Sequence, residues 1–239
     1  MKTSILEKFI HASGGFRPRG VEEVFALRLA RKLGDWGAAS HYAKLAGENP
    51  VARLLSAYRS ALRNGHGGDL GRRFHAELQL LSGDQPTPRA SSLLALRIER
   101  RSIAAAVYLG NHLDYTDCRQ LSSSKDKALG SSVRFVNWLL DTFRIDSAAL
   151  EIIPISQEIH RRTLSDLVEK TLQDRLLSLY RIRKSEVFEA FGEPRLRSRR
   201  ELREVTTGIW PILAGSGAKV FVQDAAALGL HVQTERLFI

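Results

Sequence analysis

The chain has 239 residues, enough for one ordinary domain and a smaller companion, since globular domains run about 100 to 200 residues. Its 44% hydrophobic and 26% charged composition suits a globular fold, and no run approaches the ~18 apolar residues of a membrane span. A net charge of +10 favours a polyanionic partner, because neutralising phosphates releases condensed counterions, while the single cysteine, Cys118, excludes an intramolecular disulfide and a cysteine-rich zinc site.

At the N-terminus, Glu7 and Lys8 stand where a signal peptide needs an apolar run, so the expectation is a cytoplasmic protein with no membrane segment. Residues 1 to 90 hold 14 Lys/Arg against 8 Asp/Glu, and the remainder 22 against 18, so the basic excess leans toward the N-terminal third. Nucleic acid is the expected partner, with an acidic protein or a membrane surface as alternatives. Residues 21–32, 38–47 and 51–63 keep a 3.6-residue apolar rhythm, which predicts helices. Gly34-Asp35-Trp36 followed by Ala39, Tyr42, Ala46 and Asn49-Pro50 resembles one tetratricopeptide repeat. A lone repeat reads as a packed helical hairpin, because about three copies are needed to share a core. Gly65-His66-Gly67-Gly68-Asp69 reads as an exposed turn. Two prolines, Pro86 and Pro88, mark residues 84–92 as a linker between a helical module, residues 1–83, and a second domain, residues 93–239.

Beyond the linker the pattern changes. Residues 93–99 and 103–109 are apolar enough for buried strands, Asn111 to Asp114 turns the chain, and residues 115–121, with Cys118 as a small packing residue, complete an antiparallel meander. Ser122 to Ser124 offer capping chemistry for a long helix through Val133, Val136, Leu140 and Phe143. A fourth strand at 148–153 stops at Pro154. A helix through Leu164 to Leu176, a short strand at 179–182 and helices at 186–191, 198–209 and 222–237 close the chain.

This order, together with Glu151 in the fourth strand, the segment Glu186 to Gly192 followed by Arg197-Ser198-Arg199-Arg200, and Gln223-Asp224-Ala225-Ala226-Ala227, resembles the RuvC branch of the RNase H-like superfamily over residues 92–237. The resemblance implies an α/β fold with a mixed five-stranded sheet and flanking helices, joined to the all-α N-terminal module. It implies carboxylates Glu99, Glu151 and Asp224 gathered around Mg²⁺ or Mn²⁺ for phosphodiester hydrolysis, and dimers acting on branched DNA. The basic residues Arg181, Arg183, Lys184, Arg195, Arg197, Arg199, Arg200 and Arg203 would flank that site and contact phosphates. They read equally as a solvated face with pairs such as Arg197 to Glu201 and Arg200 to Glu204.

The chain departs from the family where Asp is expected in the first strand: it has Glu99, followed by Arg100 and Arg101, which compete with a metal. Phe221 stands one turn before Asp224, where a further ligand is expected, and His231 lies seven residues beyond on the same helical face. Glu99 could instead pair with Arg97 or Arg101, and Asp224 could cap its helix. Glu151 among apolar neighbours needs a partner, because a buried carboxylate is costly without one. The expected function is therefore a divergent metal-dependent endonuclease for structured nucleic acid. The alternative is a catalytically inactive nucleic-acid-binding or adaptor protein on the same scaffold.

Overall fold

The computed structural model describes residues 4–64, 69–81, 92–154, 159–189, 196–214 and 220–235. Five helices come first: α1 (Ile5–Ala12), α2 (Val21–Lys32), α3 (Ala39–Glu48), α4 (Val51–Arg63) and α5 (Leu70–Leu80). The three helices expected in this region agree with α2 to α4 to within a residue or two. The helices α1 and α5 went unread in the sequence; each is fixed by a side-chain cap, Ser4 with Glu7 for α1 and Asp69 for α5. Residues 65–68, including His66, and residues 82–91, which hold most of the expected linker, lie outside the described residues.

The strands are β1 (Ser92–Glu99), β2 (Ser102–Leu109), β3 (His112–Gln120), β4 (Ser147–Glu151) and β5 (Ser178–Ile182). They form one mixed sheet of order β3-β2-β1-β4-β5, antiparallel across β1, β2 and β3 and parallel from β1 through β4 to β5. Helix α6 (Lys125–Phe143) leads from β3 to β4, α7 (Ile159–Asp174) joins the parallel strands β4 and β5, and α8 (Lys184–Glu189), α9 (Arg199–Ile209) and α10 (Val220–Glu235) follow the last. β1 and β2 read as near-continuous apolar runs, broken in β1 by Arg97, because helices cover both faces of the sheet. The turn into β3 is tighter than expected: Gly110 adopts a positive φ of 58° and His112 is already in the strand.

One face packs Leu94, Leu96 and Ile98 of β1 against Val136 and Leu140 of α6 and Leu164 and Val168 of α7. The other packs Leu93 and Ala95 against Ala225, Ala226 and Leu228 of α10. Helix α10 approaches closely because Gly229 has no side chain: a Cβ there would lie 2.2 Å from Cε2 of Tyr108. The Tyr108 hydroxyl fixes the contact by donating to the Ala226 carbonyl at 2.6 Å.

The N-terminal helices build a core of their own around Phe25, Leu29, Tyr42, Leu54 and Phe74. They also share the core beneath α10, to which Phe9, Val21, Val24 and Leu27 contribute. Helix α2 is buried on two sides for this reason and carries Arg28, whose guanidinium lies 3.4 Å from Nδ1 of His231. His231 thus faces α2 and not the candidate site, as a buried structural histidine. Its imidazole is pulled down to about 3 by burial and then by the Arg28 charge, and it is neutral at physiological pH.

Candidate functional site

Side chains alternate along a strand, so the α10 side of β1 continues from Leu93 and Ala95 to Arg97 and Glu99. In β4 the same side continues from Ala149 to Glu151. Opposite them, Asp224 projects from the second turn of α10 with its side chain fully buried, so it does not serve as the helix cap that was one reading of it. Helix α9 begins at a capping box between Ser198 and Glu201, and its rhythm places Arg199 and Arg203 four residues apart on one side, against the carboxylates.

Glu99, Glu151 and Asp224 therefore converge as anticipated, but around guanidinium groups. Arg97, with 6% of its side chain exposed, lies 2.5 Å from Glu99 through Nη2, 2.5 Å from Glu151 through Nη1 and 3.8 Å from Asp224 through Nε. Arg199 donates to both oxygens of Glu151 at 2.6 Å and reaches Asp224 at 3.3 Å. Arg203 grips Asp224 with two parallel hydrogen bonds of 2.8 Å, the bidentate geometry that suits a guanidinium to a carboxylate. Arg161, from α7, donates to the Ile98 carbonyl at 2.8 Å and lies 3.5 Å from Glu99.

Four arginines against three carboxylates leave this centre at +1. Burial pushes the Glu151 carboxyl upward, yet Arg97 and Arg199 outweigh it and hold the group below its ordinary range. Burial, and then the adjacent Arg97, lower the Arg161 guanidinium, while its hydrogen bonds to Asp224 hold the Arg203 guanidinium above its ordinary value. Hard divalent cations need several free oxygens carrying excess negative charge. Here the oxygens face guanidinium donors, and among the described residues no three His, Cys, Asp or Glu side chains come together so as to hold a metal ion. The donor set does not fit the expected Mg²⁺ or Mn²⁺ pair.

The basic residues expected at phosphates divide. Arg199 and Arg203 belong to the carboxylate centre. Arg181 pairs with Glu169, Arg183 lies 4.0 Å from Glu186, and Lys184 sits over the Phe188 ring at 5.2 Å. Arg197 and Arg200 are exposed, and Arg195 lies outside the described residues. The anticipated helical pairs are replaced: Glu201 accepts from the Arg197 and Ser198 backbone amides, and Glu204 accepts from the Leu6 amide. Sequence reasoning named Arg97 as a partner for Glu99, which the structure shows, and Arg100 and Arg101 as the competing cations; it overlooked Arg161 and the reach of Arg97 to Glu151 and Asp224. The signal was an arginine inside the apolar run Leu93-Leu94-Ala95-Leu96-Arg97-Ile98, since a cation buried in a strand demands carboxylates nearby.

No protein-family model matches the sequence, and comparison with curated proteins finds no match. Among solved structures the fold matches Thermus thermophilus RuvC, alone and in complex with Holliday junction substrate. Each aligns at a TM-score of 0.52 and 15% identity over 61% of this chain and 95% of the other. The yeast mitochondrial Holliday junction resolvase Ydc2 aligns at a TM-score of 0.43 and 12% identity, over 78% of this chain and 96% of its own. The likeness to RuvC is one of fold: the RNase H-like architecture of the RuvC type is present here, with its five-stranded mixed sheet and flanking helices.

Proposed function

We propose that this protein uses a RuvC-type domain to bind branched DNA without cutting it, with an arginine lock in the position of a metal centre. The observation that carries the reading is Arg97, buried and in ion-pair contact with all three carboxylates. Expelling it to admit a cation would break three interactions and leave Arg199 and Arg203 still bound to the same oxygens. The fold's likeness to a RuvC solved on a Holliday junction supports branched DNA as the ligand class, and the net charge of +10 supports a phosphate-rich partner.

The second reading, a metal-dependent nuclease, draws on the convergence of Glu99, Glu151 and Asp224 itself, and requires Arg97 and Arg199 to swing away when DNA arrives. One assay separates the two. The full chain is mixed with four-way junctions, duplexes and single strands, first in EDTA and then with Mg²⁺ or Mn²⁺. Junction binding in EDTA with strands left intact in either metal supports the lock. Metal-dependent nicking that Glu151→Gln abolishes establishes the nuclease, and failure to bind any of these DNAs refutes both.

A further inference from the structure

Away from the carboxylate centre, an open groove runs between the outer side of α6 and the C-terminal end of the edge strand β3. It begins at the β1–β2 turn beside Glu99, where Arg100, Arg101, Ser122, Lys125 and His160 line it. It continues past Ser122, Lys127, Ser131 and Arg134, and ends at Arg119, Phe135 and Trp138. Shared lining residues, Ser122 at one junction and Gln120, Ser131 and Arg134 at the other, make these one continuous track.

Lys127, Ser131, Arg134 and Trp138 recur at helical spacing along one side of α6. Lys125, Lys127 and Arg134 form no ion pair among the described residues, and Asp126 is the acidic side chain that borders the groove. Such an excess of cations over anions, held beside hydroxyls, is unlike a salt-bridged solvated face. At the far end Trp138 is 44% exposed, yet its ring is held in place: Phe135 stacks on it with an interplanar angle of 13°, and Tyr115 and Phe143 meet it edge-on. The Arg119 guanidinium covers the Phe135 ring at 5.1 Å. A fixed, exposed indole at the end of a cationic groove is the arrangement that recognises a nucleobase on a phosphodiester strand.

We propose that this groove binds an unpaired DNA strand that runs outward from the carboxylate centre, with the cations on its phosphates and a base stacked on Trp138. The inference rests on the DNA-binding reading above and names the strand and its path. From Lys125 to Trp138 the helix rises about 20 Å, room for roughly six stacked nucleotides at ~3.4 Å each. The open groove and the absence of ion pairs at Lys125, Lys127 and Arg134 among the described residues favour a flexible polyanion over an acidic protein helix, which would need an apolar stripe opposite Trp138.

The test uses the full chain and a forked DNA with a single-stranded arm of fluorescently labelled thymidines, against a blunt four-way junction of equal length. Trp138→Phe keeps an aromatic ring in the cluster, and Lys127→Ala with Arg134→Ala removes exposed charge, so these variants keep the fold; their melting temperatures confirm it. The expected results are a loss of roughly 5- to 100-fold in forked-DNA affinity for Trp138→Ala, less for Trp138→Phe, and quenching of wild-type tryptophan fluorescence that Trp138→Phe abolishes. The double charge variant should lower the slope of log affinity against log salt by about 1.4. Unchanged forked-DNA binding in all variants, with the wild type still binding DNA, overturns the groove and leaves the proposed function standing. A wild type that binds no DNA overturns both. Loss of self-association in place of DNA affinity assigns the surface to a second copy and overturns the proposal.

Discussion

Replacing Arg97 by alanine removes the group that touches all three carboxylates while leaving those carboxylates in place. Breaking a buried ion-pair network by removing one partner costs about 3 to 5 kcal/mol, because the remaining charges lose their compensation. Here the side chain is 6% exposed and the Asp224 side chain fully buried, so solvent does little to screen the loss. For a chain of this size each kcal/mol moves the melting temperature by roughly 2 to 4 °C, giving an expected fall of about 6 to 20 °C near pH 7. The effect carries a pH signature. Arg97 and Arg199 hold the Glu151 carboxyl below its ordinary value, so its contribution is complete above the unfolded-state pKa, about 4.3, and is lost as pH falls through the lower folded value. The gap between wild type and Arg97→Ala should therefore be widest above pH ~5.5 and narrow as acid protonates the Glu151 carboxylate, which titrates higher once Arg97 is gone. Adding Glu151→Gln to Arg97→Ala should recover part of the loss, since the amide no longer needs a cation. Thermal unfolding followed by circular dichroism from pH 4 to 8 measures all three. A melting temperature within 2 °C of wild type, or a gap that does not change with pH, would refute the buried lock.

Removing two guanidinia, as in Arg97→Ala with Arg199→Ala, should leave a carboxylate cluster that Mn²⁺ stabilises by roughly 2.7 kcal/mol at a hundredfold excess over its Kd, while wild type does not respond; differential scanning fluorimetry reads this directly. Gly229→Ala should destabilise by about 1 to 3 kcal/mol, because the new methyl meets the buried Tyr108 ring 2.2 Å away; urea denaturation measures it. His231 is neutral when folded, with its imidazole lowered to about 3, so the unfolded chain binds the extra proton below its own pKa of ~6.5. Stability should therefore fall as pH drops from about 6.5 toward 3, and His231→Gln should flatten that limb of the pH profile. A fragment beginning at Ser91 loses Phe9, Val21, Val24 and Leu27 from the shared core and should melt well below the full chain.

The sheet domain was legible because its strands are short, apolar and bounded by turn residues, and because Glu151 stood out as a carboxylate in an apolar strand needing a partner. The convergence of Glu99, Glu151 and Asp224 was what the RuvC resemblance implied, and the sheet order, with β1 beside β4, brings the first two together. What filled the space between them was not legible in the same way. Arg97 precedes Glu99 by two residues and so shares its side of the strand, which made it a readable partner for Glu99, but one strand's alternation does not say that the same guanidinium also reaches Glu151 and Asp224; Arg100 and Arg101 are carried by the β1–β2 turn into the exposed groove. Arg199 and Arg203 were read as a phosphate-facing surface, because a run of basic residues looks alike whether it meets solvent or buried carboxylates. Helix α2 shows the same limit: its two buried sides reflect two cores, and a single helical period cannot say which neighbour each side meets.

The sharpest test is a crystal structure of the wild-type chain soaked in Mn²⁺ and measured at a wavelength where manganese scatters anomalously. The arginine lock predicts no anomalous peak among Glu99, Glu151 and Asp224, with the Arg97 guanidinium still between them. Manganese bridging Glu151 and Asp224, with Arg97 and Arg199 turned away, would contradict it and establish the metal-dependent nuclease in its place.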